Sequence, residues 1–428
     1  MASADEDLSF LLRLLTFQVA FALPKPDHAT SFSKAYKRFY QVPDVSESLQ
    51  ALEAARREMV NQLRMSDQDN GGVISSVNQF LPYAFQLMNS VLQASEGVRL
   101  EAKLEFKWES GLSTARGGRR MAENSDPALM FDLGMAVAAK ALALGNLATL
   151  AAGDLRSGAG GAGPAVAHLR EAAGLWAWVA AERLPERYAH AECAAAVAEG
   201  LGQWCLARAQ LAAAAQMALK YDASKDALLA KLCVGAAQMI KRAVDGMRAR
   251  AGPQYERLPA PFLAQLALSS SLAQGLAYLY VARAAAAEQR AGLAVAAIRR
   301  AQELVGERAG PAAVGLPPLD GPLQEIQGEV AALRAHIQRT EAAYNKDNSS
   351  VYFLPVPDGR DVELPGAVTM KQATPFAPPE LPPLDLEGRG AGASSSGEKA
   401  EGEEGKRERT DSDLARELQE KLNAGEDI

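Results

Sequence analysis

The sequence predicts an all-α fold, with helices packed on helices as a solenoid, followed by an extended segment. Three observations carry this. Apolar residues make up 48% of the 428-residue chain but aromatics only 6%. The core must therefore be built mostly from Ala, Leu and Val, and such small side chains let helices approach closely. Long Ala- and Leu-rich stretches recur between Pro/Gly punctuation, as helices separated by short connections do. The stretch YNKDNSSVYFLPVPDG (Tyr344–Gly359) then ends the helical pattern, and prolines follow at 355, 357, 365, 375, 378, 379, 382 and 383. Proline at that density forbids helix and favours extended, partly polyproline-like chain.

Taken in order, residues 1–45 read as irregular, with Pro24, Pro26 and Pro43 limiting any long helix. From Ser46 an amphipathic helix is expected. Leu49, Leu52, Ala55, Met59 and Leu63 recur every three or four residues, and Ser46 or Ser48 is placed to cap it. DQDNGG (Asp67–Gly72) reads as a turn, and a second helix follows from Ile74 to about Ala94. The turn is not a calcium loop, because Gly71 and Asn78 fall where ligands belong. LEFKWES (Leu104–Ser110) alternates apolar and polar residues as a strand does. Further helices are expected over 126–153, 164–184, 187–220, 223–250, 260–289, 291–306 and 321–345. GAGGAGP (Gly158–Pro164) contains GxGxxG, but no strand precedes it, so it reads as a loop between helices. Paired helices of this size suit a tetratricopeptide-like core, although no fixed-period repeat is present.

Charge excludes some functions. The net charge is −7, and the segment Gly397–Ile428, with eleven acidic and six basic residues, carries −5 of it. The body is near neutral and lacks the basic footprint of a nucleic-acid binder. Cys193, Cys205 and Cys233 lie in apolar helical surroundings without metal spacing and read as buried free thiols, which implies a reducing, cytoplasmic compartment. His28, His168, His190 and His336 are scattered, and there is no nucleophile elbow or Walker loop. The reading is a non-enzymatic binding scaffold without cofactor or metal. From the residues alone, a generic helical-repeat scaffold for some other partner fits equally well.

Several motifs carry a family resemblance. Lys346-Asp347-Asn348, then Val356-Pro357, then Lys371 before Thr374-Pro375, resemble the closing segment of the Bro-one domain, the domain of Alix-like endosomal scaffolds. FKWES (Phe106–Ser110) is similar to that family's aromatic strand, and EAAGLWAWV (Glu171–Val179) to its Ala-Gly-aromatic helix. LARAQ (Leu206–Gln210) with DALLAKL (Asp226–Leu232) resembles the helix pair lining its groove, and AEQRAGLAVAAIRRAQEL (Ala287–Leu304) resembles its helix-turn-helix. The resemblance spans roughly residues 5–385. It implies a curved, boomerang-like solenoid with a small β-sheet near one end and the extended segment packed back on the solenoid.

It also implies the activity: a concave hydrophobic groove that receives the amphipathic C-terminal helix of an ESCRT-III core subunit. On that reading Leu228 and Leu232 line the groove, Leu229 faces the core, and Ala213 stands where many members carry a groove aromatic. A basic groove residue of some members falls near Gly163, with Arg170 or Lys220 as substitutes. The protein is then a monomeric adaptor of endosomal sorting, recruited from the cytoplasm to endosomes and meeting membranes only through partners. Short members end in a prenylation box, which AGEDI does not match. The expected organisation is a domain over 1–385, a disordered acidic linker over 386–410 and a short amphipathic helix over 411–425. In that last helix, DSDLARELQEKL resembles an inverted ubiquitin-interacting motif. Ala415 would sit close to ubiquitin's apolar patch, with Leu414 and Leu418 beside it.

Overall fold

A computed structural model of the chain describes residues 23–26, 31–65, 69–94, 100–114, 121–126, 129–157, 161–182, 190–219, 223–306, 322–369 and 371–386. The chain divides into two units, Met1–Gly388 and Arg389–Ile428, and all described residues belong to the first. The linker expected over 386–410 and the helix over 411–425 lie beyond them, apart from Leu386.

Nine long helices are present among the described residues. They are α1 (Pro43–Arg64), α2 (Asn70–Gln93), α3 (Leu129–Ser157), α4 (Gly163–Ala181), α5 (Ala195–Leu219), α6 (Asp226–Arg250), α7 (Ala260–Ala287), α8 (Ala291–Gly306) and α9 (Pro322–Asp347). Successive helices pack on one another, so the architecture is the predicted helical solenoid. The small sheet is antiparallel, in the order β1 (Lys25–Pro26), β2 (Phe106–Thr114), β3 (Met121–Asp126).

Leu49, Leu52, Ala55, Met59 and Leu63 are all buried, as their spacing requires. The helix start differs from the expectation. Pro43, not a serine, opens α1: its fixed φ suits the first turn and its missing N–H leaves nothing unsatisfied there. Likewise α2 begins at Asn70. The Asp69 carboxylate accepts from the amides of Gly71 and Gly72 at 3.0 Å each, so the described part of the apparent turn, Asp69–Gly72, is the helix cap and first turn. α5 starts at Ala195, because residues 190–194 are given over to a one-turn 3-10 piece that serves the sheet.

That service is a buried polar network. β2 bulges between Glu109 and Thr114, freeing ladder groups. The fully buried Glu192 carboxylate accepts from Ser110 Oγ (2.7 Å) and from the amides of Gly111 (2.7 Å) and Leu112 (3.0 Å). His190 Nε2 bonds the carbonyl of Trp108 at 2.8 Å. Next to it, Arg56 of α1 forks onto Asp132 of α3 with two 2.9 Å bonds, and Trp108 Nε1 donates to the same carboxylate at 2.8 Å. A bidentate, hydrogen-bonded pair is the form in which buried charge is tolerated.

The core falls into two clusters. The one around the sheet and α1–α5 holds the large rings Phe85, Phe106, Trp108, Phe131, Trp176 and Trp204. The other, α5–α9, is mostly Ala and Leu, with Tyr280 its one fully buried large ring among the described residues. α3 and α7 are long and apolar enough to cross a membrane by composition. Their apolar windows are 67% and 72% buried against neighbouring helices, as core helices are. Cys193, Cys205 and Cys233 are free and buried, as predicted. Burial raises the Cys205 thiol to about 11 and the Cys233 thiol to about 12, which removes thiolate reactivity.

Candidate partner-binding groove

The extended segment after α9, here called the strap, organises the surface. It runs back over the solenoid in reverse chain order. It meets α8 where Pro355 O crosses Gly292, and α7 where Tyr278 Oη donates to Val362 O at 3.4 Å. On α6, the Val368 amide donates to Lys231 O at 3.3 Å; on α5, Gln210 Nε2 donates to Val368 O at 2.8 Å. On α4, Arg170 Nε donates to Gln372 O at 2.7 Å and the Thr374 amide donates back to Arg170 O at 2.9 Å. At α2 the strap ends on Gln86, which donates to Pro382 O at 2.6 Å, and on Ser90, whose Oγ accepts from the Leu384 amide at 2.7 Å.

Glycine makes the close approach possible. A Cβ at Gly174 would lie 1.8 Å from Thr374 O, and one at Gly235 would lie 2.5 Å from Val368 O. Neither distance is physical, so only glycine lets the strap backbone touch these helices. Phe376 then locks the end of the strap. It packs on Trp178 edge to face with centroids 5.7 Å apart, and on Phe85 at 6.3 Å.

The crossing divides the exposed side of α4, α5 and α6 in two. α4 and α5 run antiparallel, with the Ala162 amide bonded to Gln216 Oε1 and Gly202 against Ala173 and Trp176. On the side toward the start of α4, the end of α5 and the start of α6, the strap-facing positions are Val166, Ala213, Met217 and Leu228. They lie one or two turns from Arg170, Gln210 and Lys231, which fixes their shared direction. Val166, Ala213 and Met217 are half-buried and Leu228 is 38% exposed. This is an apolar shelf bounded by the strap. On the other side lies an open groove of about 620 Å³ lined by Ala173, Ala177, Ala180, Gly202, Gln203 and Leu206, with Ala373 of the strap at its edge.

Leu228 and Ala213 therefore share the shelf. Leu232 does not. It is fully buried with Leu229, and its carbonyl accepts from Gln210 Nε2 at 2.7 Å. Four residues advance a helix by about 40° beyond a full turn, and that rotation carries Leu232 from the surface into the α5–α6 contact. Arg170 stands at the edge of the shelf, but its Nε serves the strap. Gly163 opens α4. Lys220, Leu414, Ala415 and Leu418 lie outside the described residues. Sequence reasoning missed Met217 and Val166. The signal for Met217 was its place one helical turn after Ala213.

The start of α6 is held by charge. Asp226, 2% exposed, lies in the first turn, where a carboxylate suits the helix dipole, and 3.5 Å from Arg283 of α7. Burial holds the Arg283 guanidinium below its ordinary pKa. On the opposite face of α5, Arg208 is 3% exposed and donates to Thr149 Oγ1 at 3.0 Å, and burial lowers its pKa to about 10. It braces α5 on α3 from beneath and does not reach the shelf.

Comparison with known proteins bears on the fold. No curated protein matches the chain. Among solved structures, one described as the ALIX BRO1 CHMP4C complex is similar at 21% identity and a TM-score of 0.66, over 87% of this chain and 99% of that one. An ALIX structure in complex with the SIVmac239 PYKEVTEDL late domain is similar at 21% identity and a TM-score of 0.67, over 87% of this chain but 51% of that longer one. A third, described as the structural basis for endosomal targeting by the Bro1 domain, is similar at 13% identity and a TM-score of 0.63, over 83% and 92% of the two chains. These likenesses establish the fold. The BRO1-like domain family itself matches residues 25–388, most of the chain, and the protein belongs to that family.

Proposed function

We propose that this protein is a non-enzymatic adaptor of endosomal sorting, and that its shelf docks the amphipathic C-terminal helix of an ESCRT-III core subunit. The observation carrying the proposal is the strip Val166–Ala213–Met217–Leu228, half-exposed apolar positions on three neighbouring helices beside a fixed strap. An amphipathic helix presents apolar anchors at i, i+3, i+4 and i+7, and a strip of this kind is what such a face covers. Family membership supports the reading, as does a neighbour described as a complex of ALIX with CHMP4C. With Ala213 in place of a ring, the shelf is shallow, and Met217 supplies an adaptable surface in its stead. On this reading the protein acts as a monomer recruited from the cytoplasm to endosomes. The segment 411–425 adds a ubiquitin contact through Leu414, Ala415 and Leu418, tested by loss of ubiquitin binding in Ala415→Arg.

The test is a titration of a labelled ESCRT-III C-terminal helix peptide by fluorescence anisotropy. Wild type is expected to bind saturably. Leu228→Asp is expected to lose binding with an unchanged helical spectrum, because that side chain is not part of the core. Ala177→Asp, in the groove across the strap, is expected to bind normally. Normal binding by Leu228→Asp, or loss in Ala177→Asp, would move the partner off the shelf.

A further inference from the structure

We propose that the turn from Val351 to Val356 inserts into the interfacial layer of a lipid bilayer. It does so independently of the shelf, so that failure of either proposal leaves the other standing. Every residue from Ser349 to Asp358 is exposed. Five of them are large and apolar: Val351 at 65%, Tyr352 at 40%, Phe353 at 74%, Leu354 at 41% and Val356 at 36%. A contiguous exposed apolar run of this size marks an interaction surface.

Its shape identifies what it meets. Extended chain on a folded surface hides alternate side chains; here a π-helical turn ending in left-handed Phe353 leaves consecutive ones exposed, with Pro355 O and Leu354 Cβ resting on α8 at Gly292. A docked protein covers one side of such a ridge, whereas a bilayer surrounds it. The backbone is also prepared for a medium without water. Asn348 is buried and clamps the turn: its carbonyl accepts from the Phe353 amide at 2.7 Å, its Oδ1 accepts from the Leu354 amide at 3.0 Å, and its Nδ2 donates to Leu354 O at 2.9 Å. Pro355 and Pro357 have no N–H to strand. Polar backbone groups satisfied internally are the condition for entering lipid.

Phe353 sharpens the point. Its φ is +52°, in the left-handed region that bulky side chains avoid. The chain accepts that strain and turns the ring outward into solvent. Such a conformation persists only where its surroundings impose it, and strain of this kind clusters at binding sites. Together with Tyr352, the turn offers two aromatic rings of the kind that settle at membrane interfaces.

Charge sets the lipid preference. No charged residue lies between Asp347 and Asp358, and the exposed charges at the base, Lys346, Asp347, Asp358, Arg360 and Asp361, nearly cancel. Attraction to anionic lipid is therefore minor. Insertion is driven by apolar burial, and binding to zwitterionic vesicles at raised salt is expected. This differs from the expectation that membranes are met only through partners.

The experiment uses the full chain and vesicles of phosphatidylcholine alone, or phosphatidylcholine mixed with phosphatidylserine. The four native tryptophans, Trp108, Trp176, Trp178 and Trp204, are all buried, so a Phe353→Trp variant adds the one exposed indole among the described residues. Its emission is expected to shift to the blue with both vesicle types and to keep the shift in high salt. Val351→Asp combined with Phe353→Asp is expected to lower the vesicle-bound fraction of the protein by about tenfold or more, with an unchanged melting curve. No blue shift on either vesicle overturns the proposal. So does binding that needs phosphatidylserine and disappears with salt, or binding that survives the double substitution. Vesicle-free capture of a partner protein that depends on Phe353, without any lipid shift, assigns the turn to a protein and overturns it as well.

Discussion

Between Val351 and Val356 the C-terminal segment holds Phe353 74% exposed, while some twenty residues later the same segment buries much of Phe376 between Trp178 and Phe85. Both stretches carry apolar residues and proline, the later one extended and the earlier one a turn that ends the π-helical piece Asn348–Tyr352. What separates them is the surface beneath. Under the later stretch, α4 and α6 present Gly174 and Gly235, and polar side chains from α5, α4 and α2 reach up to hold the strap backbone. Under the earlier stretch α8 also presents a glycine, Gly292 beneath Pro355 O, but the backbone is clamped by its own Asn348 and the large side chains stay exposed. A proline-rich segment thus becomes fold where helices offer donors to its backbone and aromatic partners to its ring; glycine alone, as at Gly292 beneath Pro355, leaves the large side chains exposed.

The difference can be broken from the clasped side first. Gly174→Ala forces a Cβ into the carbonyl of Thr374, so the strap must lift. A loss of about 3 kcal/mol in denaturant unfolding is expected, at the upper end of overpacking costs, with new proteolytic cleavage between Val368 and Leu386. Phe376→Ala removes a half-buried ring and its edge-to-face packing, and about 2 kcal/mol is expected in the same measurement. Gln210→Ala leaves the carbonyl of Val368 without its donor and is expected to cost about 1 kcal/mol. The smallest effect is on the other side of the comparison. Phe353→Ser is expected to change stability by no more than about 0.5 kcal/mol, because its ring supports nothing in the fold. A large destabilisation by Phe353→Ser would mean that the two stretches are alike.

Much of the fold was legible in the sequence. The stripe Leu49–Leu63, the alternation in FKWES and the end of α9 at Asp347 each follow from a local rule of spacing or proline chemistry. The misses have physical causes. Asp69 caps α2 from inside a sequence that reads as a turn, because the same Asx chemistry serves both. Residues 190–194 leave the helix so that Glu192 can satisfy amides freed by a bulge 80 residues earlier, a demand that no local window contains. The strap's route depends on glycines in separate helices, each unremarkable alone. At the shelf, Leu228 was readable as a surface residue of α6. The burial of Leu232 was not, since a 40° difference in direction decides it and only the placement of α5 fixes where that boundary falls.

The central claim is that the strap sets one boundary of a partner site made by the end of α5 and the start of α6. Hydrogen–deuterium exchange of the full chain, with and without a saturating ESCRT-III C-terminal helix peptide, tests it most directly. Slowed exchange is predicted in Gln210–Leu219 and in the first turns of α6 around Leu228, with none in the Val351–Val356 turn. Slowed exchange confined to Ala173–Ala181 and Glu199–Leu206 across the strap, or no change at a peptide concentration that saturates anisotropy, would contradict it.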